Sequence, residues 1–146
     1  MNKTREAGDL FHSSKNFLTG PPRRTPQGRG AGKKGENAMH CIQESTAPFS
    51  VSYQTAPEDQ NVNGAVHGGV IFHLCDEAAG RYVTALGKTG AAADASIHYY
   101  RPGRVGEKII AQVSERKLGR RIGVLLVEVW NQEGKRLADA LFTIAF

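Results

Sequence analysis

The sequence predicts an α+β domain in which one long helix packs on an antiparallel sheet of about five strands. Three observations carry this expectation. A helix-compatible run from about 68 to 86 contains no proline and closes on Gly87. Before it, Phe49, Val51 and Tyr53 alternate with Ser50, Ser52 and Gln54, the period of a half-buried strand. After it come four strand-like runs, at about 92–101, 107–117, 121–131 and 136–146.

Each element has a local reason. From Gly20 to Gly35, eight of the sixteen residues are Gly or Pro, interleaved with Arg and Lys. Such a stretch buries too little apolar surface to offset its ordering entropy, so residues 1–40 are expected to be a disordered basic leader and 41–146 the folded domain. The leader admits three accounts: a solvated tail, a targeting segment, or translation upstream of a start at Met39. Glu6 and Asp9 and the lack of an amphipathic pattern weigh against a transit peptide. Residues 57–64, Pro-Glu-Asp-Gln-Asn-Val-Asn-Gly, are a turn-rich connection. In the helix, His73, Glu77, Arg81, Thr84 and Lys88 fall on one narrow stripe at about 100° per residue, and most other positions are apolar or small. That pattern predicts a mostly buried helix with one wet seam, held by a sheet that curves round it. Among the strands, Ile109, Ala111 and Val113 alternate with Lys108, Gln112 and Ser114. Arg101-Pro102-Gly103 and the run 131–134 mark turns.

Composition narrows the function classes. The net charge of +5 arises entirely within residues 1–38, which hold eight basic and three acidic side chains; the remainder balances at eleven of each. A nucleic-acid face on the domain is therefore not expected. No apolar run approaches the roughly 18 residues of a membrane span, and no secretory h-region is present. Cys41 and Cys75 form no disulfide framework, which fits a reducing cytoplasmic setting. His67, His73, Cys75 and Asp76 match no standard zinc spacing, so no metal or other cofactor is expected. Cys75 reads more readily as a buried structural thiol than as a nucleophile.

Two features bear on chemistry. Asp76 lies about 60° from the nearest member of the wet stripe, among Phe72, Ala79, Gly80 and Val83. A carboxylate on an apolar flank needs a partner, and burial would raise its pKa toward the range of a useful base. It equally reads as a residue bordering the wet stripe or pairing with Arg81. Gly68 and Gly69 open the helix, where backbone N–H groups lack intrahelical acceptors and the macrodipole is positive. They offer donors to a developing oxyanion, or simply permit a tight turn.

Together, the residues from Asn61 through Gly64, His67-Gly68-Gly69 and Asp76 resemble the signature of the hotdog-fold acyl-CoA thioesterases, closest to the phenylacetate-pathway and 4-hydroxybenzoyl-CoA type. An Asn stands six positions before the His, Gly-Gly follows it, and an acid lies nine beyond. The resemblance continues through Asp94 to Glu107 and covers about 49–146. It implies a helix wrapped by the sheet, a homodimer or dimer of dimers, and an active site at the subunit interface. It also implies roles. Asp76 would be nucleophile or general base, Gly68 would polarise the thioester carbonyl, Asn61 would position water or the acyl group, and His67 would shape the loop. Gly69 and Ser96 would lie on the substrate; Arg101 and Arg104, in or next to turns, read either as solvated loop charge or as contacts to the CoA phosphates. One departure stands out. Relatives often carry Ser or Thr where this chain has Ala92, and Ser96, two positions beyond Asp94 on the same face, is the substitute. The competing function is a hotdog module that binds acyl-CoA without turnover. A hotdog dehydratase is weaker, since no Asp-x4-His pair is present.

Overall fold

The computed structural model describes residues 42–46 and 49–146. The predicted basic leader lies outside them. The described chain is one helix against one sheet, in the order β1 (Gln43–Thr46), β2 (Phe49–Gln54), a short 3-10 turn (Pro57–Asp59), α1 (Gly68–Ala85), β3 (Ala91–Tyr99), β4 (Lys108–Leu118), β5 (Ile122–Asn131) and β6 (Arg136–Ala145). All pairings are antiparallel and the strand order is β1-β2-β4-β5-β6-β3. The five expected strands and the helix form close to their predicted bounds. A sixth, β1, is added at one edge; its polar Gln-Glu-Ser-Thr sequence carries no alternation that announces it.

The helix starts because His67 caps it. Its Nδ1 accepts from the Gly69 N–H at 3.1 Å, and its carbonyl accepts from the Val70 N–H at 2.9 Å. The helix ends in a Schellman turn: the Lys88 N–H reaches the Val83 carbonyl at 3.1 Å and the Gly87 N–H the Thr84 carbonyl at 2.9 Å, with Gly87 at φ +69°.

Between these ends Ile71, Leu74, Cys75, Ala78, Ala79 and Val83 are buried, a recurrence at three and four residues that marks one apolar face. They meet Val51, Ile109, Leu125, Val127 and Phe142 from the concave side of the sheet. Phe72 stacks on Phe142 with ring centroids 5.8 Å apart. Among the described residues no helix is long and apolar enough to cross a membrane.

The sheet wraps only part of the helix, and this corrects the expectation of one narrow wet seam. His73, Asp76, Gly80, Arg81 and Thr84 are all exposed in the single chain, so the open face is wider than the charged stripe alone suggests. It lies between the two edge strands, β1 and β3.

Candidate functional site

The loop before α1 is built to present a helix N-terminus. Asn61 Oδ1 accepts from the N–H groups of Asn63 at 2.9 Å and Ala65 at 3.1 Å, an Asx-type turn closed by Gly64 at φ +79°. Asp59, buried, anchors the other side. Its carboxylate accepts from the Tyr53 hydroxyl and the Ala56 N–H, each at 2.8 Å, while its carbonyl accepts from the His67 N–H at 2.7 Å. A buried carboxylate satisfied in this way fixes the backbone that carries His67 and Gly68.

The caps leave one group over. The Gly69 N–H goes to His67 Nδ1 and the Val70 and Ile71 N–H groups to the His67 carbonyl, so among the described residues the Gly68 N–H has no acceptor. Gly68 lines a hollow of about 300 Å³ with Asn61, Ile71, Tyr99 and Arg101. The Asn61 Oδ1 is occupied by the loop, which leaves its amide NH2 without an acceptor among the described residues. His67 is the cap itself, which gives the loop-shaping role a specific hydrogen bond. Gly69 is committed to that same cap.

Tyr99, the last residue of β3, was not singled out from the sequence as a site residue. Its hydroxyl donates to the Gly68 carbonyl at 2.8 Å. A Cβ on Gly68 would stand 3.1 Å from that hydroxyl, so the ring lies directly against the glycine. An aromatic at a strand end, just ahead of the Arg-Pro-Gly turn, was the available signal.

Asp76 lies elsewhere. It lines a larger hollow of about 710 Å³ with Gly80, Val83, Thr84, Ala92 and Ile144, and with Glu44 from β1. The expected apolar burial is not found in the single chain, where Asp76 is exposed. The alternative pairing with Arg81 does not form either. The Arg81 guanidinium holds Glu77 at 3.0 Å and Glu44 at 3.7 Å. Among the described residues no hydrogen bond or ion pair occupies the Asp76 carboxylate. Next to it, Cys75 is fully buried, and burial, followed by the charges of Asp139 and Asp76, pushes its thiol up to about 12. A thiol held that firmly protonated is core, not nucleophile.

Gly68 and Asp76 are eight residues apart on one helix, which is about 12 Å along its axis. Two groups that must each come within about 3 Å of one carbonyl cannot do so from those positions. Asn61 and Gly68 are brought together; Asp76 is not brought to them within one chain.

The substrate-side residues separate likewise. A β-bulge between Ala92 and Asp94 shifts the register of β3 on β6. Ala92, Ala95 and Ile97 pair with Ile144, Phe142 and Ala140, which are core residues, so they face the helix. Asp94, Ser96 and His98 pair with Thr143, Leu141 and Asp139 on the opposite face. Asp94 and Ser96 do share a face, but it is the outer one, while Ala92 faces Asp76's hollow. Ser96 therefore cannot replace a hydroxyl missing at Ala92. Arg101 lies between two hollows, that of Gly68 and one of about 280 Å³ lined by Arg104, Glu107, Glu133 and Lys135. Its guanidinium also donates to the Arg136 carbonyl at 3.0 Å. Lys135 on that rim was not singled out from sequence. Among the described residues no cluster of three His, Cys, Asp or Glu is placed to hold a metal ion.

Known proteins share this fold. Residues 63–138 match the family model of the thioesterase superfamily, a span that holds Gly68 and Asp76. The acyl-coenzyme A thioesterase PaaI of Escherichia coli is 33% identical over 81 residues, covering 54% of this chain and 58% of that protein. A hypothetical thioesterase protein of Streptococcus pneumoniae, solved with coenzyme A, superposes with a TM-score of 0.65 at 31% identity, covering 66% of this chain and 76% of that one. The smu.793 protein of Streptococcus mutans, solved with acetyl CoA, gives 0.70 at 25% identity over 77% and 94% of the two chains. With its hotdog fold and the match spanning more than half its length, this chain belongs to the thioesterase superfamily and is a thioester hydrolase.

Proposed function

We propose that this protein is an acyl-CoA thioesterase whose active site is shared by two subunits, Asp76 from one acting on a carbonyl held by Gly68 of the other. The observation that carries this reading is the course of β3. It begins at Ala91 and Ala92, beside Asp76, and ends at Tyr99, against Gly68. It is also an edge strand, and among the described residues no other strand pairs with its second row of backbone N–H and C=O groups. Antiparallel pairing of two such edges about a two-fold axis lays the Ala92 end of one strand beside the Tyr99 end of the other. The Asp76 hollow of one chain then meets the partner subunit's Gly68 and Asn61. The same pairing removes a nine-residue exposed edge, which is otherwise a template for unwanted association.

In that site the partner's Gly68 N–H, reinforced by the positive end of the helix, receives the thioester carbonyl oxygen. The NH2 of the partner's Asn61 donates to the attacking water or to the acyl oxygen. Two routes use these atoms. Asp76 takes a proton from water as the water oxygen bonds to the carbonyl carbon, and the tetrahedral intermediate collapses by breaking the C–S bond. The departing CoA sulfur then receives the proton. Alternatively the Asp76 carboxylate attacks the carbon itself, expels the CoA thiolate, and water hydrolyses the resulting anhydride. Arg101 on the Gly68 hollow and Arg104 in the next one form a basic rim that suits CoA phosphates, while Lys135 is held by Glu133 at 2.6 Å. The relatives solved with coenzyme A or acetyl CoA support that ligand class.

The test is CoA release from a panel of acyl- and aryl-CoA thioesters, with Asp76→Asn as the paired control. Hydrolysis lost by about 10²–10⁴-fold in the variant, with acyl-CoA binding retained, supports the reading. A protein that binds acyl-CoA but frees no CoA from any member of the panel is instead a binding module.

A further inference from the structure

We infer that Gly80 sets the size of the acyl group this protein accepts, an inference that rests on the reading of Asp76 given above. Gly80 lies four residues after Asp76, one turn on along the same helix face and about 6 Å further along the axis. Glycine inside a helix is destabilising relative to alanine, so its presence needs a reason. The usual reasons are missing. A Cβ at Gly80 would meet nothing within 4 Å, whereas one at Gly90 would meet the Ala145 carbonyl at 2.8 Å. Nor does Gly80 adopt a positive φ.

What the missing side chain leaves is room, and that room belongs to the hollow lined by Asp76. Apart from Asp76, the polar side chains around it are engaged. Arg81 holds Glu77 and Glu44, and Thr84 donates its hydroxyl proton to the Gly80 carbonyl at 3.0 Å. Val83, Ala92 and Ile144 complete the lining with apolar surface. The occupant these walls fit is an apolar acyl chain that leaves the reacting carbonyl near Asp76 and runs past Gly80 toward Thr84. An acetyl group ends before that turn; a hexanoyl or octanoyl chain reaches it.

The experiment measures kcat/KM of the full-length protein for acetyl-, hexanoyl- and octanoyl-CoA, in wild type, Gly80→Ala and Gly80→Leu, with size-exclusion and melting data for each. The expected result is that Gly80→Leu lowers the hexanoyl-to-acetyl ratio by about tenfold or more, with Gly80→Ala shifting it less in the same direction. Gly80→Ala is also expected to melt a few degrees higher than wild type. A ratio unchanged in an active Gly80→Leu protein overturns the inference. So does loss of the oligomer in Gly80→Leu, because the glycine then serves close approach of a second copy. Should Gly80→Leu fail to fold, an unchanged ratio in Gly80→Ala overturns it. Wild-type protein that cleaves none of the three thioesters counts against the thioesterase reading itself, a separate failure.

Discussion

The Tyr99 hydroxyl holds the carbonyl of Gly68 at 2.8 Å, so a strand-end aromatic fixes the peptide whose neighbouring N–H is left open at the helix start. Removing that hydrogen bond loosens the donor without removing it. Tyr99→Phe is expected to lower kcat by roughly 2–10-fold, with KM changed less, since a typical net hydrogen bond is worth about 0.5–1.5 kcal/mol. Steady-state kinetics on the best thioester of the panel checks this. A KM effect alone would mean that Tyr99 contacts substrate rather than orienting Gly68.

Cys75 should be silent in the native protein. In a Cys41→Ser background, a thiol reagent at pH 8 is expected to label Cys75 only on unfolding, since the side chain is buried and its thiol is pushed up to about 12. The sign of the linked pH effect follows. The folded state keeps this proton above the ordinary value of 9.0, where the unfolded chain gives it up, so stability holds below 9.0 and falls as pH rises toward about 12. Denaturant midpoints measured from pH 7 to 11 test the direction.

The β3 bulge makes a paired prediction. Ser96→Ala should leave hydrolysis within about twofold of wild type, because Ser96 faces away from the helix. Ala92→Ser should raise kcat, because it places a hydroxyl in the hollow beside Asp76. Equal kinetic effects at both positions would contradict the assignment of faces.

The basic rim can be separated from the chemistry by shortening the thiol. Arg104→Ala is expected to raise KM for acyl-CoA by about tenfold, the scale of one charge-assisted hydrogen bond. The same variant should leave KM unchanged for an N-acetylcysteamine thioester of the same acid, which carries no phosphate. An increase for both substrates would place Arg104 on the acyl side.

Much of this was legible in the sequence, and the exceptions have physical causes. The helix and five strands followed from periodicity, because their buried faces impose it on residues such as Ile109, Ala111 and Val113. β1 escaped because its four residues are all polar and carry no apolar alternation to detect. The bulge escaped because Ala91, Ala92 and Ala93 are identical side chains and carry no record of which face they occupy. The proposed site residues Asn61, Gly68 and Asp76 stand out through the family resemblance that their spacing carries, and helical rise already separates Gly68 from Asp76. Asp76's exposure was not legible, since it depends on how far two edge strands close round the helix. Tyr99 and Gly80 matter through what lies, or does not lie, against them, and no local pattern records that.

Subunit complementation tests the shared site most directly. Asp76→Asn removes the acid, and Asn61→Asp keeps a side-chain oxygen to hold the loop while removing the NH2 donor. Each variant alone should be inactive. Mixed under conditions of verified subunit exchange, they should recover about a quarter of wild-type activity, since half of the dimers are mixed and one of their two sites is intact. No recovery in a fully exchanged mixture, or full turnover by an isolated monomer, would contradict a site built from Asp76 of one chain and Gly68 and Asn61 of its partner.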